Sequence, residues 1–252
     1  MKIGAKIYTI ATCSSTNDLA NAMASKGEED GTVILADEQT SGRGTKGRSW
    51  LSEKGKGLYI SVILRPVEKD VTLLPFVAGL AVREALSEVG NLPVMLKWPN
   101  DLICRGKKLG GILCEASFLG NSISHAVLGV GLNVSHDRED FPEDIRSRAT
   151  SLKILLKREF DVHAFLPRLW EIMEEWYGFF RRGKKEQIIR TFEEYSQFSL
   201  GDSLIVLTEK KRMTGKYTGI DQQGRLSIRI DGIERRFLAA EILEIKRDIE
   251  EG

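Results

Sequence analysis

Residues 42–48 read Gly-Arg-Gly-Thr-Lys-Gly-Arg, and the stretch just after them decides which folds are open to the chain. The run satisfies G-x-G-x-x-G and misses G-x-x-x-x-G-K-[ST] only because Arg48 stands where the lysine should be. Both motifs work by opening a helix whose N-terminal N–H groups meet phosphate. Here the next twenty residues, SWLSEKGKGLYISVILRPVE, read as loop and strand, so dinucleotide-binding and P-loop folds are set aside. Three glycines still leave backbone N–H groups approachable, and Arg43, Lys46 and Arg48 supply positive charge suited to a polyanion. A mobile solvated loop is the other reading of the same residues.

Around this segment the chain alternates strands with helices. Ser15-Thr16-Asn17-Asp18 offers N-caps to a helix with Leu19 and Met23 on one face, ended by Gly27, and Thr32 to Asp37 forms a strand leading into the glycine loop. Leu58 to Leu64 reads as a buried strand stopped by Pro66. A helix from Pro75 to Gly90 carries Phe76, Leu80, Ala81, Leu86 and Val89. Gly111–Ala116 and Ala126–Val134, separated by a Gly-Asn turn, predict a hairpin at the centre of a sheet. A long helix from about His163 to Arg182 is capped by Asp161, with Leu169, Met173, Trp176 and Phe180 on its apolar stripe. From Leu200 onward the pattern changes to short strands and turns, including an Asp231-Gly232 hairpin turn, which predicts a separate small barrel with its boundary near Ser196.

Composition narrows the function classes. A chain of 252 residues has room for one large domain and a small one, and 42% apolar with 29% charged residues is ordinary globular usage. Lys and Arg number 37 against 36 Asp and Glu, a net charge of +1, so no global field draws in nucleic acid or an anionic membrane. Basic function must be local. Cys13, Cys104 and Cys114 form no CxxC pair and no zinc spacing with His125, His136 or His163, and no signal or spanning segment is visible, so a reducing cytoplasm is expected.

Two more segments carry chemistry. In Lys97-Trp98-Pro99-Asn100-Asp101 the proline fixes a turn that presents Asn100 and Asp101 at a strand end, with Lys108 seven residues further on. Asp101 there can cap backbone N–H groups, hold Mg²⁺ or orient a lysine, and a cation near a carboxylate and a glycine loop suits acyl-phosphate chemistry. In Gly129-Val130-Gly131-Leu132-Asn133, two glycines in a strand mark either a close approach of ligand or backbone or a β-bulge, with Asn133 able to read a base edge. The run Glu209-Lys210-Lys211-Arg212 reads as a solvated hairpin tip.

In order and spacing these segments resemble the biotin protein ligases. The resemblance runs through SSTND (14–18), ADEQTSGRGTKGRSW (36–50), GLYISVIL (57–64), LKWPNDL (96–102), KLGGILCEA (108–116) and GVGLNV (129–134). It implies an α+β fold, with a mixed-sheet catalytic domain like that of class II aminoacyl-tRNA synthetases over 1–195 and an SH3-like β-barrel over 196–252. The implied reaction activates biotin with ATP and Mg²⁺ to biotinyl-5′-AMP, then transfers biotin to a lysine of a biotin carboxyl carrier protein. By the same resemblance Ser15, Thr16 and Gln39 hold the ureido ring of biotin. Gly42, through its backbone, and Arg43 meet the carboxylate and the activated phosphate, Arg48 holds the ATP phosphates, and Trp50 stacks near adenine. Asn133 hydrogen-bonds the nucleotide, Asp101 places Mg²⁺ or the incoming lysine, and Lys108 bridges carboxylate and α-phosphate. The catalytic set is thus Lys108, Arg43 and Asp101. A homodimer is common in the family. The rivals are a lipoate or octanoate ligase or transferase of the same superfamily, and a biotin-binding regulator without catalysis. KWPNDL and GRGTKGRSW speak against the first, and Lys108, Arg48 and Asp101 against the second.

The chain departs from the family pattern in places. Since the first motif begins at Ser14, the type without an N-terminal DNA-reading domain is expected, and nucleic acid is not an expected partner. Ala116 to Asn121 lacks a lysine that some members carry after the GIL-x-E strand, so no contact is assigned there. Many members have arginine at the position of Thr45, associated with ordering the loop over the adenylate. Either Lys46 partly substitutes, or the adenylate escapes more readily. Thr45→Arg is therefore expected to reduce adenylate release into solution, measured as free biotinyl-AMP per turnover; equal leakage from both proteins counts against the idea.

Overall fold

The computed structural model describes residues 2–66 and 71–248, with the side chains of Val89 and Gly90 outside the described set. The expected place of Val89 on a helix face therefore lies outside the described residues. The elements run β1 (Ile7–Cys13), α1 (Thr16–Ser25), β2 (Val33–Gln39), β3 (Gly57–Leu64), α2 (Leu74–Gly90), β4 (Val94–Lys97), β5 (Asp101–Cys104), β6 (Lys107–Leu119) and β7 (Ser122–Asn133). They continue through α3 (Glu143–Arg146), α4 (Leu152–Leu156), α5 (Val162–Arg181), α6 (Lys185–Glu194), β8 (Ser203–Thr208), β9 (Arg212–Ile220), β10 (Leu226–Ile230), β11 (Ile233–Phe237) and β12 (Ile242–Arg247). No helix among the described residues is long and apolar enough to cross a membrane.

Seven strands form one mixed sheet in the order β1-β2-β3-β7-β6-β5-β4. Only β1 and β2 run parallel; the other neighbours are antiparallel. The β6/β7 hairpin sits inside the sheet as its sequence predicted, and reaches further, to a turn at Gly120-Asn121. Five antiparallel strands, in the order β11-β10-β9-β8-β12, make the SH3-like second sheet.

The large sheet is covered unequally. On one face α2, α5 and α6 bury a core that includes Leu80, Val130, Leu132, Leu169, Met173 and Phe192. Asp161 caps α5 by accepting from the Ala164 N–H at 3.1 Å, and Leu169, Met173, Trp176 and Phe180 are all buried as the periodicity requires. Among the described residues the helix on the other face is α1, over a small cluster of Ala20, Ala24, Ile34, Ile63 and Val127. Leu19 and Met23, expected to be its buried face, are only partly buried; Thr16, Asn17, Ala20 and Ala24 point at the sheet instead. Small side chains let α1 lie close to β3 and β7, and room for a site opens beside it.

Several short elements escaped the sequence. Strand β4 has four residues, α3 four and α4 five, too few for periodicity to register, and α6 was not anticipated. The segment AAEIL gives a single turn at Ala239–Glu241 and then β12. Helix α2 ends at Gly90 as expected, with Asn91 in the left-handed region as its C-cap. Ser15 occupies the N-cap of α1 without a side-chain capping bond, so the expected hydroxyl cap is not made.

His136, just beyond β7, is fully buried and stacked on Phe141 with ring centroids 5.0 Å apart. Neither ring nitrogen has a well-aligned hydrogen-bond partner among the described residues, and burial, outweighing a weak backbone contact with Lys56, pushes the imidazole down to about 4. An unfolded histidine titrates near 6.5, so between those values the unfolded chain binds the extra proton. Stability from the neutral ring is therefore complete above about pH 6.5 and lost as pH falls toward 4, a loss on the order of 3 kcal/mol. Urea unfolding at pH 7 and pH 4 is expected to show this excess loss in the wild type and not in His136→Phe.

Candidate functional site

A cavity of about 920 Å³ opens on the α1 side of the sheet, between the glycine loop, the β4/β5 turn and β12. Ser15, Thr16, Gln39, Arg43, Arg48, Trp50, Asp101, Lys108 and Asn133 all line it, whereas Gly42 does not.

The floor is made by missing side chains. Gly111 of β6 and Gly131 of β7 are register partners in the middle of the sheet, and the Trp50 indole lies over them. A Cβ on Gly131 would stand 2.5 Å from Trp50 Nε1, and one on Gly129 would fall on Asn17 Oδ1. The ladder runs through both glycines without a shift, so the bulge reading of this strand is not what the structure has; side chains make the close approach.

At one end, Gln39 Oε1 accepts from the Thr16 backbone N–H at 2.8 Å and from its hydroxyl at 3.0 Å, and Gln39 Nε2 donates to Ser52 Oγ at 2.8 Å. Beneath them the buried Ser61 hydroxyl lies 2.8 Å from Thr16 Oγ1 and 2.6 Å from Asn17 Oδ1. These fixed amide and hydroxyl dipoles suit a small neutral group with paired donors and acceptors.

The glycine segment is ordered rather than open. Trp50 N–H donates to Gly42 C=O at 2.8 Å and Gly44 N–H to Arg48 C=O at 2.7 Å, closing a narrow hairpin with Lys46 and Gly47 in the left-handed region at its turn. Gly42 is required because a Cβ there would meet Ser52 Oγ and the Trp50 carbonyl. Arg43 forms a bidentate pair with Glu115, both contacts 2.9 Å, and reaches Asp18 at 2.5 Å. Desolvation works against the Arg43 charge, but Glu115 and Asp18 outweigh it and raise the guanidinium above its ordinary value. Arg48 donates to the Leu243 carbonyl at 2.8 Å, and the Lys46 ammonium meets the Ile242 carbonyl beside it. Desolvation and then Arg48 lower the Lys46 amine. Lys46 is thus engaged with the second sheet.

Opposite the loop, Lys108 Nζ meets Asp101 Oδ1 at 2.5 Å and lies 5.5 Å from the Trp50 ring centre. The turn between β4 and β5 contains a cis Trp98–Pro99 peptide, and Trp98 is buried with Nε1 donating to Gly224 C=O at 2.9 Å. Asp101 opens β5 rather than ending a strand, opposite Lys97 in register. Asn133 is buried, lines the cavity, and its amide already donates to Thr150 C=O at 2.9 Å.

Sequence reasoning missed Asn17, Ser52, Ser61, Glu115 and Lys97. Glu115 had a usable signal, since Gly111, Leu113 and Glu115 alternate onto one face of β6. The others are recognisable only once α1, β3 and the loop are brought together.

Gly131→Ala is expected to lift Trp50 from the floor. Nucleotide affinity, read by titration, should fall at least about tenfold, roughly the cost of a modest overpacking strain, while the fold is retained. Unchanged affinity removes the indole and its glycine floor from the binding surface.

Comparison with known proteins agrees with this geometry. The model of the biotin/lipoate A/B protein ligase family matches residues 9–133. The bifunctional ligase/repressor BirA of Bacillus subtilis is 31% identical over 232 residues, covering 90% of this chain and 70% of that protein. The biotin–[acetyl-CoA-carboxylase] ligase of Mycobacterium tuberculosis is 34% identical over 239 residues, covering 90% of this chain and 84% of that one. Among solved structures, the biotin protein ligase from Aquifex aeolicus in complex with biotin and ATP superposes with a TM-score of 0.83 at 31% identity, covering 96% of this chain and 99% of that one. With its motifs gathered around one cleft on this mixed sheet, the chain belongs to the biotin/lipoate protein ligase family and, within it, stands among the biotin protein ligases.

Proposed function

We propose that this chain is an ATP-dependent biotin protein ligase that makes biotinyl-5′-AMP with release of pyrophosphate and transfers biotin to a lysine of a biotin carboxyl carrier domain. The observation that carries this reading is the Lys108–Asp101 pair set across the cavity from the Arg43/Arg48 hairpin, with the Trp50 indole between them on a glycine floor. Relatives named as biotin ligases, and a similar structure holding biotin and ATP, support it.

A carboxylate and a triphosphate repel each other, so joining them needs cations that act as charge develops on the α-phosphate. In this reading Thr16, Gln39 and Ser15 hold the ureido ring and the Gly42 backbone guides the carboxylate end. Lys108 leaves Asp101 to bridge the carboxylate and the α-phosphate, and Arg43 and Arg48 leave their present acceptors for phosphate oxygens. A carboxylate oxygen attacks phosphorus, and the bond to the pyrophosphate oxygen breaks with its electron pair. Trp50 packs against adenine and the Asn133 oxygen accepts from the nucleotide. Asp101, released by Lys108, orients the carrier amine or takes its proton as AMP departs. The hairpin over the cleft keeps water from the mixed anhydride.

Mg²⁺ is proposed as the companion of ATP. No cluster of three His, Cys, Asp or Glu side chains suited to a metal occurs among the described residues, and the carboxylates lining the cavity are Asp101 and Glu244. That fits an ion brought in on the nucleotide phosphates, the usual habit of Mg²⁺, with Asp101 as its protein ligand. When bound it would neutralise phosphate charge. The division into a catalytic unit, 1–195, and a barrel, 196–252, is likewise proposed, supported by the two separate sheets. A cytoplasmic location is supported by three free cysteines, and a homodimer by the open outer edge of β1.

The test is purified protein with ATP, Mg²⁺ and radiolabelled biotin or lipoate, with and without a carrier domain. Biotin-dependent pyrophosphate release and label on the carrier support the reading, and labelling by lipoate alone overturns it. Lys108→Ala is expected to keep biotin binding and lose about 10²-fold or more of adenylate formation; undiminished turnover takes Lys108 out of the reaction.

A further inference from the structure

Resting on the ligase reading, a role can be drawn for a residue that neither the motif roles nor the contacts above employ. Cations that line the cavity are held by local acceptors: Arg43 by Glu115 and Asp18, Lys108 by Asp101, and Lys46 and Arg48 by the carbonyls of Ile242 and Leu243. Arg148, at the rim, is exposed and 4.0 Å from Asp144. Lys97 is different. It lines the same cavity, is partly buried, and makes no hydrogen bond or ion pair with any described residue.

Its placement is built rather than incidental. Leu96 before it and Trp98 after it are buried, so the strand period turns Lys97 to the cavity, and its register partner across the hairpin is Asp101. Asp101 and Glu244 lie near enough to stabilise its charge, and Lys108 and Arg48 near enough to oppose it. Desolvation, the largest influence, pulls the amine below its ordinary range. A desolvated ammonium with no acceptor is costly, and the cost is recovered when an anion enters.

We propose that Lys97 contacts the polyphosphate of the nucleotide in the adenylation step and offsets the charge that builds on pyrophosphate as it leaves. It acts in the first half-reaction, where the bond between the α-phosphorus and the pyrophosphate oxygen breaks. It is not needed in the second, where AMP is the leaving group and no pyrophosphate is present.

The two half-reactions can be measured on one preparation of the full chain, so their ratio is independent of the folded fraction. Biotin-dependent exchange of labelled pyrophosphate into ATP reads the first, and transfer from added biotinyl-AMP to a carrier domain reads the second. Lys97→Gln is expected to lower exchange about 10²-fold, with a raised KM for ATP, and to leave transfer within about threefold. Lys97→Arg, which keeps the charge, is expected to recover exchange to within about tenfold of wild type. Unchanged exchange in Lys97→Gln overturns the proposal. Equal loss of both half-reactions also overturns it, and assigns Lys97 to holding Asp101 or the carrier amine. If the wild type itself shows no biotin-dependent exchange, the ligase reading falls first and this one with it.

Discussion

Like charges gathered before their ligand arrives are the constraint on which this site depends. Two unit charges about 6 Å apart at an effective dielectric of about 20 repel by roughly 3 kcal/mol. Arg43, Lys46, Arg48, Lys97 and Lys108 share one cavity, so an empty site with all five unpaired would oppose folding. The chain answers by giving Arg43 the carboxylates of Glu115 and Asp18, Lys108 that of Asp101, and Lys46 and Arg48 two backbone carbonyls. These acceptors shape the chemistry too. In the proposed reaction each contact is one that a phosphate or carboxylate replaces, so binding energy is spent on rearrangement and is recovered most fully where the developing charge is greatest.

The same tension between packing and access runs through the central hairpin. Strand β7 puts Leu128, Val130 and Leu132 into the core shared with the large helices, and puts Val127, Gly129 and Gly131 toward α1. Two glycines weaken a strand in isolation, but β7 is paired along its length by β3 on one side and β6 on the other. The ladder bears the stability, and the missing Cβ atoms give Asn17 and Trp50 their places. Asn17 in turn donates to Glu115 at 2.8 Å, so one interior glycine helps hold the carboxylate that orients Arg43.

How much could be read from the sequence depends on how local each signal is. The central hairpin, the capped helix α5 and the Asp231-Gly232 turn are set by neighbours along the chain, and they form where expected. Four- and five-residue elements such as β4, α3 and α4 carry too little pattern to be seen. The motif residues identified one cavity because each motif places a functional group on a strand end or loop. Their partners lie far along the chain: Glu115 is 72 residues from Arg43, and Leu243 is 195 from Arg48. The expected Ser15 cap failed for a related reason, since the start of α1 is buried against Ser61 and Gln39 and tertiary hydrogen bonds take over there.

The second sheet enters the site through an irregularity in its own ladder. Between Ile242 and Glu244 the pairing of β12 with β8 shifts, so Leu243 has no register partner on the neighbouring strand. A bulge of this kind frees main-chain groups that a regular edge would spend within the sheet. The carbonyls at Ile242 and Leu243 are the ones that receive Lys46 and Arg48. Because the acceptors are backbone, the contact depends on the register of β12 and not on which side chains stand there. A hydrogen bond from a cation to a neutral carbonyl contributes about 1.5–3 kcal/mol, and one to an anionic phosphate is stronger because both partners are charged. In the proposed reaction the bulge therefore holds the glycine hairpin by contacts that an incoming polyanion replaces.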